Sequence, residues 1–209
     1  MKKIIYSLFA IATIGNFISC KSEEKKEPLV KKEIKITKKA AYTVQDADNK
    51  INWTAFKTTK KVPVNGQFQK ITITSNGKGS TIKEAINNTE FSIPVSSIFT
   101  MDSGRDFKIK KFFFGIMDNT KLLSGKLVLE NDSIGYSNIT MNGITKKLPF
   151  KYTINGNVFN LASSLKISDW NAEKALASLN EVCKDLHKGA DGVSKTWNEV
   201  AINITSTFK

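Results

Sequence analysis

The sequence predicts an all-β domain with a minor helical part, an antiparallel β-barrel of about eight strands carrying two helices. Three observations predict it. From Tyr42 onward apolar side chains recur with period two, Asn-Gly pairs separate several of those runs, and two segments switch to helical spacing. Alternation of this kind gives each strand one apolar and one wet face. That pattern fits an antiparallel sheet, whereas a doubly covered parallel sheet reads as unbroken apolar runs.

Strands are expected near 42–45, 50–58, 64–75 and 89–98, then in a four-strand meander over 122–167, and last near 197–208. Ile51, Trp53 and Ala55 alternate with polar neighbours, as do Phe91, Ile93 and Val95. Leu148, Phe150, Tyr152 and Ile154 repeat the pattern, and Val200, Ile202 and Ile204 close it. Asn142-Gly143 and Asn155-Gly156 sit between alternating runs. Both residue types tolerate φ > 0, which a two-residue hairpin demands. Asn131-Asp132 takes the same role one strand earlier. An up-and-down barrel fits best because closure removes exposed edges, with a two-sheet sandwich second.

Asn171 to Lys188 places Leu176, Leu179, Val182, Cys183 and Leu186 on one helical face. Asn171 is its expected N-cap and Gly189 its stop. A shorter helix is expected over Asp102 to Ile116, with Ile109, Phe112, Phe113 and Ile116 on one side. Both apolar stripes need cover, which an open barrel end would supply.

The composition, 40% hydrophobic and 24% charged with two Cys in 209 residues, excludes a multi-pass membrane protein, a disulfide-dense mini-domain and a fully disordered chain. Net charge is +13, yet Arg105 is the one Arg among 32 basic residues, and nearly half the excess lies in residues 1–39. Nucleic-acid readers lean on the bidentate Arg fork, so a Lys excess speaks for solubility and against nucleic acid.

The first 39 residues read as an export and anchoring device. Lys2 and Lys3 precede a mostly apolar run from Ile4 to Ile18. That run is shorter than the roughly 20 residues a membrane span needs. It ends in Phe17-Ile18-Ser19-Cys20, which resembles a bacterial lipoprotein box. The expectation is a signal peptide over 1–19, an acylated Cys20 heading a charged tether over 20–39, and a barrel domain over 40–209. The alternative is an ordinary secretory signal with an incidental Cys. Glu23-Glu-Lys-Lys-Glu27 resembles sorting signals for the outer cell face. Localisation is therefore expected at the bacterial cell envelope, lipid-anchored. With Cys20 acylated, Cys183 has no intrachain disulfide partner.

No catalytic constellation emerges, and no cofactor or metal is expected. Cys183 and His187, four residues apart, could suit a metal or a thiolate pair. Two ligands make a poor site, so Cys183 is read as a buried structural thiol and His187 as a helix-end cation. Asp102 and Asp106 flank Arg105, and a local ion pair at the helix start explains them. What remains is apolar, with thirteen Phe and three Trp. A closed sheet of about eight strands encloses space for side chains or for one small ligand.

Several motifs together resemble the YceI-like family. Tyr42-Thr-Val-Gln-Asp with Ile51-Asn-Trp53, then Val64-Asn-Gly66-Gln-Phe68, resemble its opening strands. Ser97-Ile98, Gly104-Arg105-Asp106 and Phe112-Phe113-Phe114 are similar to its middle signature, and Ile139-Thr-Met-Asn-Gly143-Ile-Thr-Lys146 to its strand-turn-strand element. Asp169-Trp170 and Trp197-Asn-Glu-Val200 fit the end. The likeness runs from Tyr42 to Phe208. It departs at Asp118 to Gly125, where many members have a Pro and an aromatic strand. The resemblance implies a lipocalin-like barrel that binds a polyisoprenoid or similar long-chain lipid, in a secreted or periplasmic setting, without established catalytic residues.

On this reading the chain is a membrane-tethered carrier of an isoprenoid-type lipid, its tail along the barrel axis and its head group at the mouth. Expected wall residues are Trp53, Phe68, Phe91, Phe107, Phe112, Phe113, Phe150, Tyr152 and Trp170. Arg105 either neutralises an anionic head group or pairs with Asp102 or Asp106. The rivals are a structural or stress-related surface lipoprotein with a filled barrel, and an enzyme using Cys183 and His187.

Overall fold

The computed structural model describes residues 40–209; the predicted signal peptide, Cys20 and the charged tether lie outside the described residues. In chain order the elements are β1 (Tyr42–Thr43), β2 (Asp48–Lys57), β3 (Val62–Phe68), β4 (Thr72–Ser75), β5 (Lys78–Gly79), α1 (Ile82–Ile86), β6 (Glu90–Pro94), β7 (Ile98–Phe99), α2 (Ser103–Phe112), β8 (Leu122–Leu129), β9 (Ile134–Met141), β10 (Ile144–Asn155), β11 (Val158–Lys166), α3 (Glu173–Val182) and β12 (Thr196–Thr207). Short 3-10 turns cover Val44–Asp46, Val95–Ser97, Phe114–Ile116 and Ile167–Trp170.

Strands β8 to β11 form the expected meander, each antiparallel to the next. The two Asn-Gly turns differ. Asn142 (φ 52°) and Gly143 (φ 68°) are both left-handed and make the two-residue β9–β10 connection. At the β10–β11 turn Asn155 is still in the ladder, opposite Val158, and Gly156 (φ 58°) leads a Gly156-Asn157 turn. The Gly occupies the position that needs positive φ in either register.

The main sheet has the strand order β4-β6-β8-β9-β10-β11-β12-β2-β3-β7. Its two ends meet. Strand β4 continues β3, strand β7 continues β6, and both halves of this bent pair are antiparallel, with Phe68 opposite Ile98 and Thr72 opposite Ser92. The sheet thus curls into a barrel of eight staves, two of them composite. The expected single strand over 64–75 is broken at 69–71. The opposing 3-10 turn at Val95–Ser97 shifts the register there, and the Gln69 amide donates to the Ser97 carbonyl at 3.0 Å.

The helices also depart from expectation. Helix α1 was not foreseen, because five residues are too few to show a period; Thr81 caps it, accepting from the Glu84 amide. Helix α3 starts one residue late and ends early, at Val182 with Cys183 as its C-cap, where the sequence pattern ran on to Lys188. Asn171 is left-handed (φ 52°) and closes the preceding 3-10 turn, so Ala172, without a side-chain cap bond, stands at the N-cap.

The interior divides along the barrel axis. One end is plugged by a cluster that includes Val44, Ile82, Ile86, Phe150, Phe159 and Phe208. The other holds Trp53, Phe68, Ile109, Phe113, Met141 and Trp170, with α2 and α3 lying across it as a cap.

Candidate functional site

The cap is fixed at the start of α2. The Asp102 carboxylate accepts from the Arg105 amide at 2.9 Å. Asp106, expected to pair with Arg105, instead turns inward. It is buried and accepts from the amide (2.9 Å) and hydroxyl (2.7 Å) of Thr100, tying the helix to the end of β7. Ile109 from this helix, and Phe113 and Phe114 just beyond its end, reach into the barrel, met by Leu176 and Leu179 from α3.

Beneath the cap lie two neighbouring cavities with lining residues in common. The inner one, about 130 Å³, is walled almost wholly by apolar side chains, among them Phe68, Ile98, Phe113, Met141, Leu165 and Ile202. The outer one, about 170 Å³, is lined by the exposed Leu186 and by Lys57, Arg105 and Lys108. Trp53, Ala55, Ile109, Leu179 and Thr196 line both.

Three cations thus converge on the mouth beside one carboxylate, Asp102, which lies 3.7 Å from the Arg105 guanidinium. Lys57 Nζ donates to the Leu186 carbonyl at 3.2 Å. Burial above all, and then repulsion from Lys57, Arg105 and Lys108, lowers the His187 pKa to about 4. The expected helix-end cation is therefore a neutral imidazole at neutral pH, its Nδ1 2.6 Å from the Thr196 hydroxyl. Burial pushes the Cys183 thiol up, against the opposing pull of the three cations. Both shifts run against the thiolate–imidazolium pair that nucleophilic catalysis uses, and the His187 ring meets Thr196. Cys183 is buried, as the sequence predicts.

The expected wall residues separate into groups. Trp53, Phe68 and Phe113 line the cavities, and Arg105 stands at the mouth. Phe91 and Trp170 are buried in the surrounding core without lining either cavity; the Trp170 indole donates to the Ile139 carbonyl at 3.0 Å. Phe150 and Tyr152 belong to the plug at the opposite end. Alternation identifies inward residues but not which end of a barrel is filled, so these two were misplaced. Phe107 is 57% exposed on the outer side of α2, edge-on to the half-buried Phe112. Helical phase explains it, since Asp106 and Ile109 take the buried side.

Lys57 and Lys108 were missed, though a signal existed for each. Lys57 continues the inward parity of Ile51, Trp53 and Ala55 to the strand's last residue. Lys108 lies three residues after Arg105 on one helix and so shares its side.

The sequence profile described as YceI-like domain matches residues 42–208. Among solved structures, a polyisoprenoid binding domain from Saccharophagus degradans is similar at a TM-score of 0.58 and 11% identity, over 81% of this chain and 98% of that one. Burkholderia cenocepacia BcnA gives 0.48 and 14%, over 76% and 94%, and a Campylobacter jejuni YCEI protein 0.48 and 15%, over 70% and 84%. No curated protein matches the chain.

Proposed function

The chain belongs to the YceI-like domain family, and from that premise we propose that it is a lipid-binding protein of the bacterial cell envelope, anchored through acylated Cys20, which sequesters or carries an isoprenoid-type amphiphile. One observation carries the reading: an apolar cavity shares five lining residues with a second one that Lys57, Arg105 and Lys108 also line. Apolar walls take the tail, because transfer out of water yields roughly 25 cal/mol per Å² buried. The cationic rim suits a polar or anionic head group. The Saccharophagus degradans domain, described as polyisoprenoid binding, supports the ligand class.

Each cavity is about the size of one that admits a single benzene-sized molecule. A long chain therefore requires the cap to swing outward. Helices α2 and α3 stand outside the strand ladder, so their displacement breaks no sheet hydrogen bond. The tested quantity is cargo. Organic extraction of protein purified from its native host, followed by mass spectrometry, should release a long-chain lipid in near-stoichiometric amount. Its absence would favour the rival reading, a barrel filled by its own side chains, which the solid plug at the far end supports.

A further inference from the structure

Exposed apolar side chains are distributed very unevenly. Among the described residues nine large hydrophobic side chains are exposed, and eight of them lie at the cap end; Ile134, at the start of β9, is the exception. Met101 (89% exposed), Phe107 (57%) and Leu186 (58%) are the most prominent at the mouth. Met101 precedes α2 in a left-handed conformation (φ 61°) and lines a surface groove with Val62, Lys57 and Arg105, the last two of which also border the mouth. Leu186 lines the mouth itself. Isolated exposed apolar residues are ordinary, but their concentration at one end of the barrel, beside the cations of the mouth, points to a surface that meets something.

Cations outnumber carboxylates around this cluster: Asp102 at the N-cap of α2 lies 3.7 Å from Arg105, and Asp185, next to Leu186, lies 3.7 Å from Lys188. Helix α2 carries Arg105, Lys108, Lys110 and Lys111, while its own carboxylate, Asp106, is turned inward onto Thr100. The Lys111 ammonium lies over the rings of Phe107 and Phe112, at 5.4 and 5.3 Å from their centroids. Phe107 thus presents an exposed aromatic ring beside a cation at the outer side of the cap. From these juxtapositions we infer that the cap end docks onto an anionic lipid bilayer, with Met101, Phe107 and Leu186 dipping among the acyl chains and the α2 cations meeting lipid phosphates. The mouth then faces the bilayer, and a hydrophobic cargo passes between the two without crossing water. From the lipid-binding reading the inference takes only the reason for such contact; the surface itself does not depend on it.

The test uses the full chain carrying Cys20→Ser, so that no acyl anchor contributes. Co-sedimentation is measured with phosphatidylcholine vesicles with and without phosphatidylglycerol, at low and high salt. Binding should require the anionic lipid and fall with salt, and Phe107→Ser with Leu186→Ser should weaken it by on the order of tenfold or more. Equal binding by parent and double variant, or binding indifferent to phosphatidylglycerol, overturns the inference. Phe107→Trp gives a second readout: brominated phosphatidylglycerol should quench its fluorescence beyond that of the parent, and equal quenching argues against insertion. Should light scattering show the double variant dissociating a dimer while vesicle binding is unchanged, the face is a contact between copies and the inference fails. Protein that yields lipid on extraction yet ignores vesicles refutes docking alone. Protein that binds vesicles yet yields no lipid refutes carriage alone.

Discussion

The indole of Trp53 lies flat over Gly66. The two face each other in the β2–β3 register, and a Cβ added to Gly66 would fall 2.1 Å from Trp53 Cζ2 and 2.5 Å from Cε2. Glycine is needed there for close approach. The indole in turn forms a wall of both cavities. Gly66→Ala should therefore drive the ring toward the space a ligand would use. Overpacking of this kind costs about 1–3 kcal/mol. Urea unfolding should show that loss, and uptake of a fluorescent isoprenoid should weaken by about tenfold, the equivalent of about 1.4 kcal/mol. Unchanged uptake would mean that the ring and the ligand do not share space.

His187 sets a pH dependence. Its folded pKa, about 4, lies below the ordinary 6.5, so the unfolded chain binds the proton more readily. Stability from this group is complete above about pH 6.5 and is lost as pH falls toward the folded value. The ring is only partly buried, so the loss should be on the order of 1 kcal/mol. Asp102, held low chiefly by the Arg105 amide, and Asp132, held low by its bond from Lys83, titrate below the ordinary 3.8. Their contribution disappears only in more acid solution, so the windows are separable. Urea midpoints for the parent should fall between about pH 7 and about pH 5. His187→Gln, which keeps a polar group beside Thr196, should flatten that slope, and an identical slope would show that another group is responsible.

The turn at Asn142 does more than reverse the chain. Its side-chain amide donates to the carbonyls of Trp170 (2.8 Å) and Asn171 (3.1 Å), and its oxygen accepts from the Asp118 amide at 2.8 Å. One side chain thus ties the β9–β10 hairpin to both segments that flank the cap. Asn142→Gly keeps the left-handed backbone but loses all three bonds, and should destabilise by about 1–3 kcal/mol. Asn155→Gly, in the other Asn-Gly pair and outside left-handed space, should cost well under that. Thermal midpoints of the two variants would reverse this order if the turn conformation, and not the latch, were what matters.

These residues show where the sequence was legible. Period two identified the staves, because an antiparallel strand with one wet face must alternate, and Asn-Gly located the hairpins, because few other residues accept both left-handed positions. Which inward residues face a cavity was not legible. Phe150 and Phe68 have the same alternation, yet one is in the plug and the other lines the inner cavity, since α1 and Phe208 close one end by long-range packing. Asn171 misled for a related reason. As a residue at home both in N-caps and in left-handed backbone, it served the latter role once the Asn142 latch held its carbonyl.

The cap itself yields a last prediction. The inner core rests on aromatic and aliphatic contacts from α2 and α3, while the staves are held by continuous ladders such as the nine-residue β11–β12 register. Local opening draws on the elements with the weakest ties, and amide exchange reports the free energy of each opening. In protein freed of lipid, amides of Ser103–Phe112 and Glu173–Val182 should exchange well ahead of those in β10 and β11. Loading with a long-chain isoprenoid should slow the helices and leave the strands unchanged, because ligand burial stabilises only the state in which the cap is closed over it. Uniform slowing across helices and strands would instead mean that the barrel opens as one unit. Entry would then run between staves and not beneath the cap.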